Sequence, residues 1–297
     1  MDFSGDMPVT RSAAVIAHLK KKRALGKGSK VLDYGCHRGA FLALLSGRGH
    51  AGYDVSEQYR PVVEGLGFSY YTPDRTPPAK KFDLLTLIHV FEHLENPSSA
   101  MNDGIRALKD NGKIAIQVPD PVTQPTDLYV MDHFSHFSPR SLQKSAFRLG
   151  VRALEPPRRL LAGEWTALFE RGASRPPAGR NTAPSAFRSI RESLARGEER
   201  LLKVKKSRLP CALYGAGLLG SMVARFLKGQ VKYFIDDSPQ LRKAGPEGLP
   251  VHSPDSLPGD PGLILITVPP SASARVQSKC LARGWNARTV FNFFRAS

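Results

Sequence analysis

The chain has 297 residues, 41% of them hydrophobic, and a formal net charge of +17. That length is ample for two domains that each bury a core, and no apolar run approaches the ~20 residues that a membrane span needs. Met1 to Thr10 is acidic and polar rather than basic then apolar, so no secretory leader is expected. Cys36, Cys211 and Cys280 are too few and too scattered for a disulfide framework or a cysteine-rich zinc site. A cytoplasmic protein without a metal is expected.

In chain order, Ser12 to Lys22 has the helical spacing of Ala, Val, Ile and Leu. Strands are expected at 30–34, 51–54, 68–71, 83–88 and 113–118, alternating with helices near 40–47, 57–65, 97–108 and 139–149. Such alternation implies a parallel, doubly wound sheet. Val151 to Leu154 and Trp165 to Glu170 would add two last strands. Ala173 to Pro184, rich in proline, reads as a linker, and Pro184 to Lys206 as an amphipathic helix with a basic outer face. Beyond it, Cys211-Ala-Leu-Tyr-Gly-Ala-Gly-Leu-Leu-Gly220 is a strand, a Gly-x-Gly-x-x-Gly turn and a helix start. Val231-Lys-Tyr-Phe-Ile-Asp-Asp237 and Gly262 to Pro270 supply two further strands.

The chemistry concentrates in the first half. In Val31-Leu-Asp-Tyr-Gly-Cys-His-Arg-Gly-Ala-Phe-Leu42, Gly35 and Gly39 open a tight turn where a ligand can approach bare backbone. Asp54, in Gly52-Tyr-Asp-Val-Ser56, ends the next strand, where a carboxylate can accept hydrogen bonds from both hydroxyls of a ribose. Asp33 can face an ammonium group. Two acids around a glycine turn suit S-adenosylmethionine better than a dinucleotide, whose pyrophosphate wants a third glycine and a helix N-terminus free of acids.

Five blocks in order carry a resemblance: the two above, Phe82 to Pro97 with His89-Val-Phe-Glu-His93, Leu108 to Pro119, and Asp132-His-Phe-Ser-His-Phe-Ser-Pro139. Residues 30 to 150 resemble a class I S-adenosylmethionine-dependent methyltransferase. The fold this implies is α/β, a doubly wound Rossmann-like methyltransferase sheet followed by a second, smaller Rossmann-like domain. The expected organisation is a methyltransferase domain over 1–173, a linker and connecting helix over 174–207, and a nucleotide-fold domain over 208–297. The cofactor is expected to be S-adenosylmethionine, held by Asp33, Gly35, Cys36, His37, Gly39, Asp54, Val55 and His89. His37 stands where the family usually has glycine, a departure expected either to alter affinity or to bring the side chain into the site itself. The acceptor side falls to His93, which with Glu92 follows the fourth strand, and to Asp132 and His133 after the fifth, as catalytic candidates.

The segment from Cys211 resembles the small nucleotide-fold domain of sugar-processing enzymes, in which Ile-Asp-Asp precedes a Gly-x-Pro-Val turn, here Gly248-Leu-Pro-Val251. The whole order resembles the nucleotide-sugar C-methyltransferases without their N-terminal zinc domain. That family shows Tyr-His-Glu-His where this chain has Val130-Met-Asp-His133. Losing the tyrosine leaves histidine-assisted O-methylation at least as well supported as C-methylation. A small-molecule acceptor, such as a sugar or sugar nucleotide, is the expected partner, and the oligomeric state stays open.

Alternatives remain. The positive charge admits an RNA or DNA methyltransferase. Against it, Lys20-Lys-Lys-Arg23, Arg158-Arg159 and Lys203-Val-Lys-Lys206 are separated and carry no interleaved aromatics. His37 could also have spoiled the cofactor site, leaving a scaffold. His89-Val-Phe-Glu-His93 further matches the H-x-x-E-H zinc pattern, but that needs both histidines on one helix face, and His89 directly follows a strand.

Overall fold

The structure, a computed structural model, describes residues 7–172, 183–242, 245–257, 261–268 and 270–289. The chain divides into two compact units, one of Met1–Pro121 with Asp127–Asn181, the other of Val122–Thr126 with Thr182–Ser297. Among the described residues no helix is long and apolar enough to cross a membrane.

The first unit opens with α1 (Met7–Lys21) and then runs through β1 (Val31–Tyr34), β2 (Ala51–Tyr53), α2 (Arg60–Gly65), β3 (Ser69–Tyr71) and β4 (Phe82–Ile88). There follow α3 (Pro97–Ala100), α4 (Asn102–Ala107), β5 (Leu108–Pro119), α5 (Pro139–Arg148), β6 (Val151–Ala153) and β7 (Glu164–Arg171). The seven strands order as β3-β2-β1-β4-β5-β7-β6. The first five are parallel and β7 is antiparallel to both neighbours. The sheet is buried on both faces, which is why its strands read as near-continuous apolar runs. Alternate residues Val31, Leu84, Ala115 and Leu168 meet Val15, Ile16 and Leu19 of α1. Leu32, Leu85, Leu87, Ile114 and Ile116 pack on the other side with Met101, Leu142 and Ala146.

Two helices differ from expectation. The helix near 40–47 is a single 3-10 turn, Leu42–Leu44, followed by Gly47 at φ +114° and Gly49 at φ +85°. Those glycines stop propagation, and buried His50 fastens the segment, its ring nitrogens meeting Val31 N–H and Ser46 O, each at 3.2 Å. The helix expected over 97–108 breaks at Met101 into α3 and α4. β5 correspondingly begins at Leu108, before the expected strand.

The second unit contains α6 (Ala183–Ser207), β8 (Cys211–Tyr214), α7 (Leu218–Phe226), β9 (Val231–Ile235), β10 (Val251–His252), β11 (Leu263–Ile266), α8 (Pro270–Ala282) and β12 (Asn286–Thr289). Its sheet is parallel throughout, in the order β10-β9-β8-β11-β12. The edge strands β10 and β12 carry no strong periodic signal and were not expected. Most of the stretch read as a linker lies outside the described residues. Gly220 admits only glycine, because a Cβ there would sit 2.0 Å from Gly215 O.

Candidate active site

Parallel strands send their following loops to one edge of the sheet, and the strand order reverses between β1 and β4, the place where open α/β sheets bind ligands. Register brings the relevant ends together: Asp33 pairs with Gly52 on β2 and Thr86 on β4, and Ile88 on β4 pairs with Gln117 on β5.

The loop after β1 turns through left-handed residues, Gly35 at φ +74°, His37 at φ +48° and Gly39 at φ +76°. An L-residue in that region costs about 1–2 kcal/mol, so the usual glycine has a backbone reason and His37 departs from it at a cost. The exposed His37 ring rests 4.0 Å from Tyr59. The His37 backbone N–H donates to Asp54 Oδ2 at 2.9 Å, and Ser56 N–H donates to Asp54 Oδ1 at 3.0 Å. Each Asp54 oxygen keeps lone-pair capacity for a hydroxyl donor. Cys36 packs its buried thiol against Gly52, where a Cβ would lie 2.4 Å from Sγ, and burial raises that thiol above its ordinary range. Val55, beside Asp54, is 77% exposed.

Gly35 is held against the loop after β4. A Cβ on it would lie 2.3 Å from Val90 Cγ2. Gly35→Ala is therefore expected to cost ~2–4 kcal/mol from overpacking and left-handed strain. Denaturant midpoints check this, and the double variant with Val90→Ala should recover part of the loss.

Asp33 lies beneath this loop, 4% exposed, and accepts Thr86 Oγ1–H at 2.6 Å. Burial, opposed by the Thr86 bond and reinforced by Asp54, raises its pKa from 3.8 to about 7. The folded state thus holds a proton that the unfolded chain gives up at lower pH, so stability falls as pH rises from about 4 through about 7. At ~1.4 kcal/mol per pH unit the penalty reaches about 4 kcal/mol at most. Asp33→Asn, which keeps the acceptor for Thr86, should raise Tm over wild type more at pH 8 than at pH 5. An equal difference at both pH values would contradict this.

On the acceptor side, one 3-10 turn, Phe91–His93, follows β4. His89, at φ +55°, does not reach freely toward the glycine loop: Nδ1 lies 3.2 Å from Glu92 Oε1 and Nε2 lies 3.1 Å from Glu164 Oε1. Arg11 pairs with the same Glu164 at 2.6 Å. Burial opposes charge on His89, but Glu164 and Glu92 outweigh it and raise its pKa to about 8. His93 Nδ1 meets Asp132 through the backbone O at 3.0 Å and Oδ2 at 3.3 Å. The His93 ring stands edge-on to His133, centroids 4.5 Å apart. His133 Nδ1 lies 2.9 Å from Asp127 Oδ1, and His136 Nδ1 lies 2.9 Å from Asp127 Oδ2. Burial works against a charged His133, and Asp127 reverses this and raises its pKa. Asp127, Glu164, Arg11 and Thr86 escaped the sequence reading, since none sits at a diagnostic spacing.

The residues present fit S-adenosylmethionine. Asp54 is a fixed carboxylate with lone pairs that suit a ribose, the left-handed loop bares backbone, and Asp33 is a covered carboxylate that a cationic group would help to ionise.

Residues 10–155 match the family model of a methyltransferase domain. None of the curated proteins compared matches the chain. Among solved structures, a SAM-dependent methyltransferase from Archaeoglobus fulgidus is 22% identical over 54% of this chain and 94% of its own, with a TM-score of 0.41. Magnesium protoporphyrin IX methyltransferase from Synechocystis with bound S-adenosylhomocysteine is 18% identical over 55% and 83%, at 0.42. The 1,6-didemethyltoxoflavin N1-methyltransferase of Burkholderia thailandensis, with bound 1,6-didemethyltoxoflavin and S-adenosylhomocysteine, is 15% identical over 55% and 78%, at 0.43. The glycine loop, the acid after β2 and strands β1 to β6 lie within residues 10–155, the segment that matches the methyltransferase-domain model, and S-adenosylmethionine is the methyl donor that this match supports.

Proposed function

We propose that the protein methylates a hydroxyl or carbon acid of a sugar, a sugar nucleotide or a related small molecule in polysaccharide or natural-product assembly. The observation that carries this reading is the Asp127–His133 pair at 2.9 Å, with His93 edge-on to the same imidazole. Both lie on loops that leave the sheet edge carrying Asp54. Asp33, Gly35, His37, Gly39 and Asp54 would hold the donor, with Cys36 shaping the loop, Val55 beside it, and His89 steadying the turn that bears Glu92. The cofactor supplies a methyl on a sulfonium, transferred by in-line displacement. This chain's part is to hold the acceptor collinear and to assist loss of its proton. His133, oriented by Asp127, gives that assistance, and Asp132 does the same for His93.

The sugar class draws support from the second half of the chain. There Asp236 after β9 accepts from Ala216 N–H and Ser238 N–H, each at 2.8 Å, as Asp54 does from His37 and Ser56. We take 1–173, 174–207 and 208–297 as methyltransferase domain, connector and nucleotide-fold domain on that basis. The test is transfer of labelled methyl from S-adenosylmethionine to a panel of nucleotide sugars and, in parallel, to polynucleotides. Label is expected in a nucleotide sugar. Label in RNA or DNA, with a steep salt dependence, would replace this reading with nucleic-acid methylation.

A further inference from the structure

We propose that Glu92, His93 and His133 form a binding site for a divalent transition-metal ion of the zinc type, with Asp132 and Asp127 as the carboxylates that orient the two imidazoles. The proposal rests on the acceptor-side reading of this cluster and names the agent that activates the acceptor there.

One ligand atom from each of the three residues lies within 4.8 Å of the other two. Tetrahedral ligands at about 2.0–2.2 Å from zinc stand about 3.4 Å apart, so side-chain adjustment suffices to close the set. Glu92 is the independent sign of a missing partner. Its side chain is 1% exposed and neither oxygen has a hydrogen-bond partner; the cation facing it, His89 with Nδ1 at 3.2 Å from Oε1, is shared with Glu164 and leaves Oε2 without an ion-pair contact. A carboxylate so buried is costly unless a cation and directed bonds compensate it.

The imidazoles are arranged as metal ligands usually are. His93 Nδ1 faces Asp132, at 3.0 Å from the backbone O and 3.3 Å from Oδ2, and His133 Nδ1 faces Asp127 Oδ1 at 2.9 Å as an ion-pair contact, so the nitrogen left on each ring for a ligand role is Nε2, as in metal sites whose imidazoles are backed by a carbonyl or carboxylate. The loops are pinned to each other without metal, since Ser135 N–H donates to the Glu92 carbonyl at 3.2 Å. Two histidines and a carboxylate select zinc or a neighbouring first-row metal over magnesium or calcium, which prefer oxygen. A second grouping, Asp127, His133 and His136, also falls within 4.8 Å. There the two Nδ1 atoms face the two oxygens of Asp127 at 2.9 Å, ordinary ion-pair contacts that account for the arrangement without a metal.

Three protein ligands leave a fourth position for the acceptor oxygen. Bound there, the acceptor O–H bond breaks with its proton passing to solvent. The oxygen–methyl bond forms as the carbon–sulfonium bond breaks, its electron pair staying on sulfur. His133 then assists as a ligand.

The test uses the full chain, stripped with a chelator and equilibrated by dialysis with Zn²⁺ or Co²⁺. One equivalent per chain is expected, with a Co²⁺ spectrum of tetrahedral type. Glu92→Gln and His93→Ala should weaken binding at least ~100-fold while S-adenosylmethionine affinity, measured in parallel, shows each variant folded. Asp127→Asn, a positioning change, should weaken it ~10–100-fold, and His136→Ala should leave it unchanged. Absence of saturable binding, or binding lost in His136→Ala and kept in Glu92→Gln, overturns the proposal. Methyl transfer that depends on His133 but survives in metal-free protein overturns the metal and keeps the acceptor reading. Glu92-dependent metal binding with no transfer to any sugar keeps the metal and removes that reading.

Discussion

Asp54→Ala should abolish measurable binding of S-adenosylmethionine, or weaken it by at least ~100-fold, in a calorimetric titration. The carboxylate serves on both sides. It orders the glycine loop by accepting from His37 N–H and Ser56 N–H, and in the proposed role its remaining lone pairs would take the ribose hydroxyls. Hydrogen bonds to a charged group contribute ~1.5–3 kcal/mol each, so losing two to the ligand alone corresponds to roughly a hundredfold or more. Disorder in the freed loop adds to that. Asp54→Asn makes the sharper comparison, because it keeps one acceptor oxygen but puts a donor against a backbone N–H. It should fall between wild type and alanine. Wild-type affinity in the alanine variant would show that the ribose is held elsewhere.

The second large effect is expected at His133. His133→Ala should lower kcat by ~10²–10⁴-fold, the usual contribution of a group that assists proton removal, with S-adenosylmethionine affinity unchanged. The separation is possible because His133 belongs to the loop after β5, whereas the donor loop follows β1. Asp127→Asn should reproduce part of the loss. The amide removes the charge that raises the His133 pKa but preserves the shape of the side chain. A pH–rate profile shifted in Asp127→Asn would mark an electrostatic and positioning role, and an unchanged profile with lower stability would mark a merely structural one. Full turnover in His133→Ala would move acceptor activation to another residue.

What the amino-acid sequence determined by itself was the parallel part of the first sheet and the glycine loop after β1. Strands buried on both faces are continuous apolar runs, and a glycine turn followed by an acid is a local pattern, so β1 to β5, Gly35, Gly39 and Asp54 can be read from neighbours along the chain. Helices near the loops were less legible. The stretch at 40–47 is apolar enough for a helix, yet Gly47, Gly49 and the ring of His50 end it after one turn. Only the tertiary structure decided which side chains share a site. Asp127 meets His133 across a polar loop with no periodicity, and Thr86 meets Asp33 because β1 and β4 are neighbours in register. His89, from its place in the sequence a candidate for the cofactor, is instead held between Glu92 and Glu164. Glu164 stands on the antiparallel strand β7, opposite Pro119 at the end of β5. Pairings of this kind depend on which strand ends up beside which. That order is set by burying both faces of the whole sheet, a property of the assembled chain that no local window of residues contains.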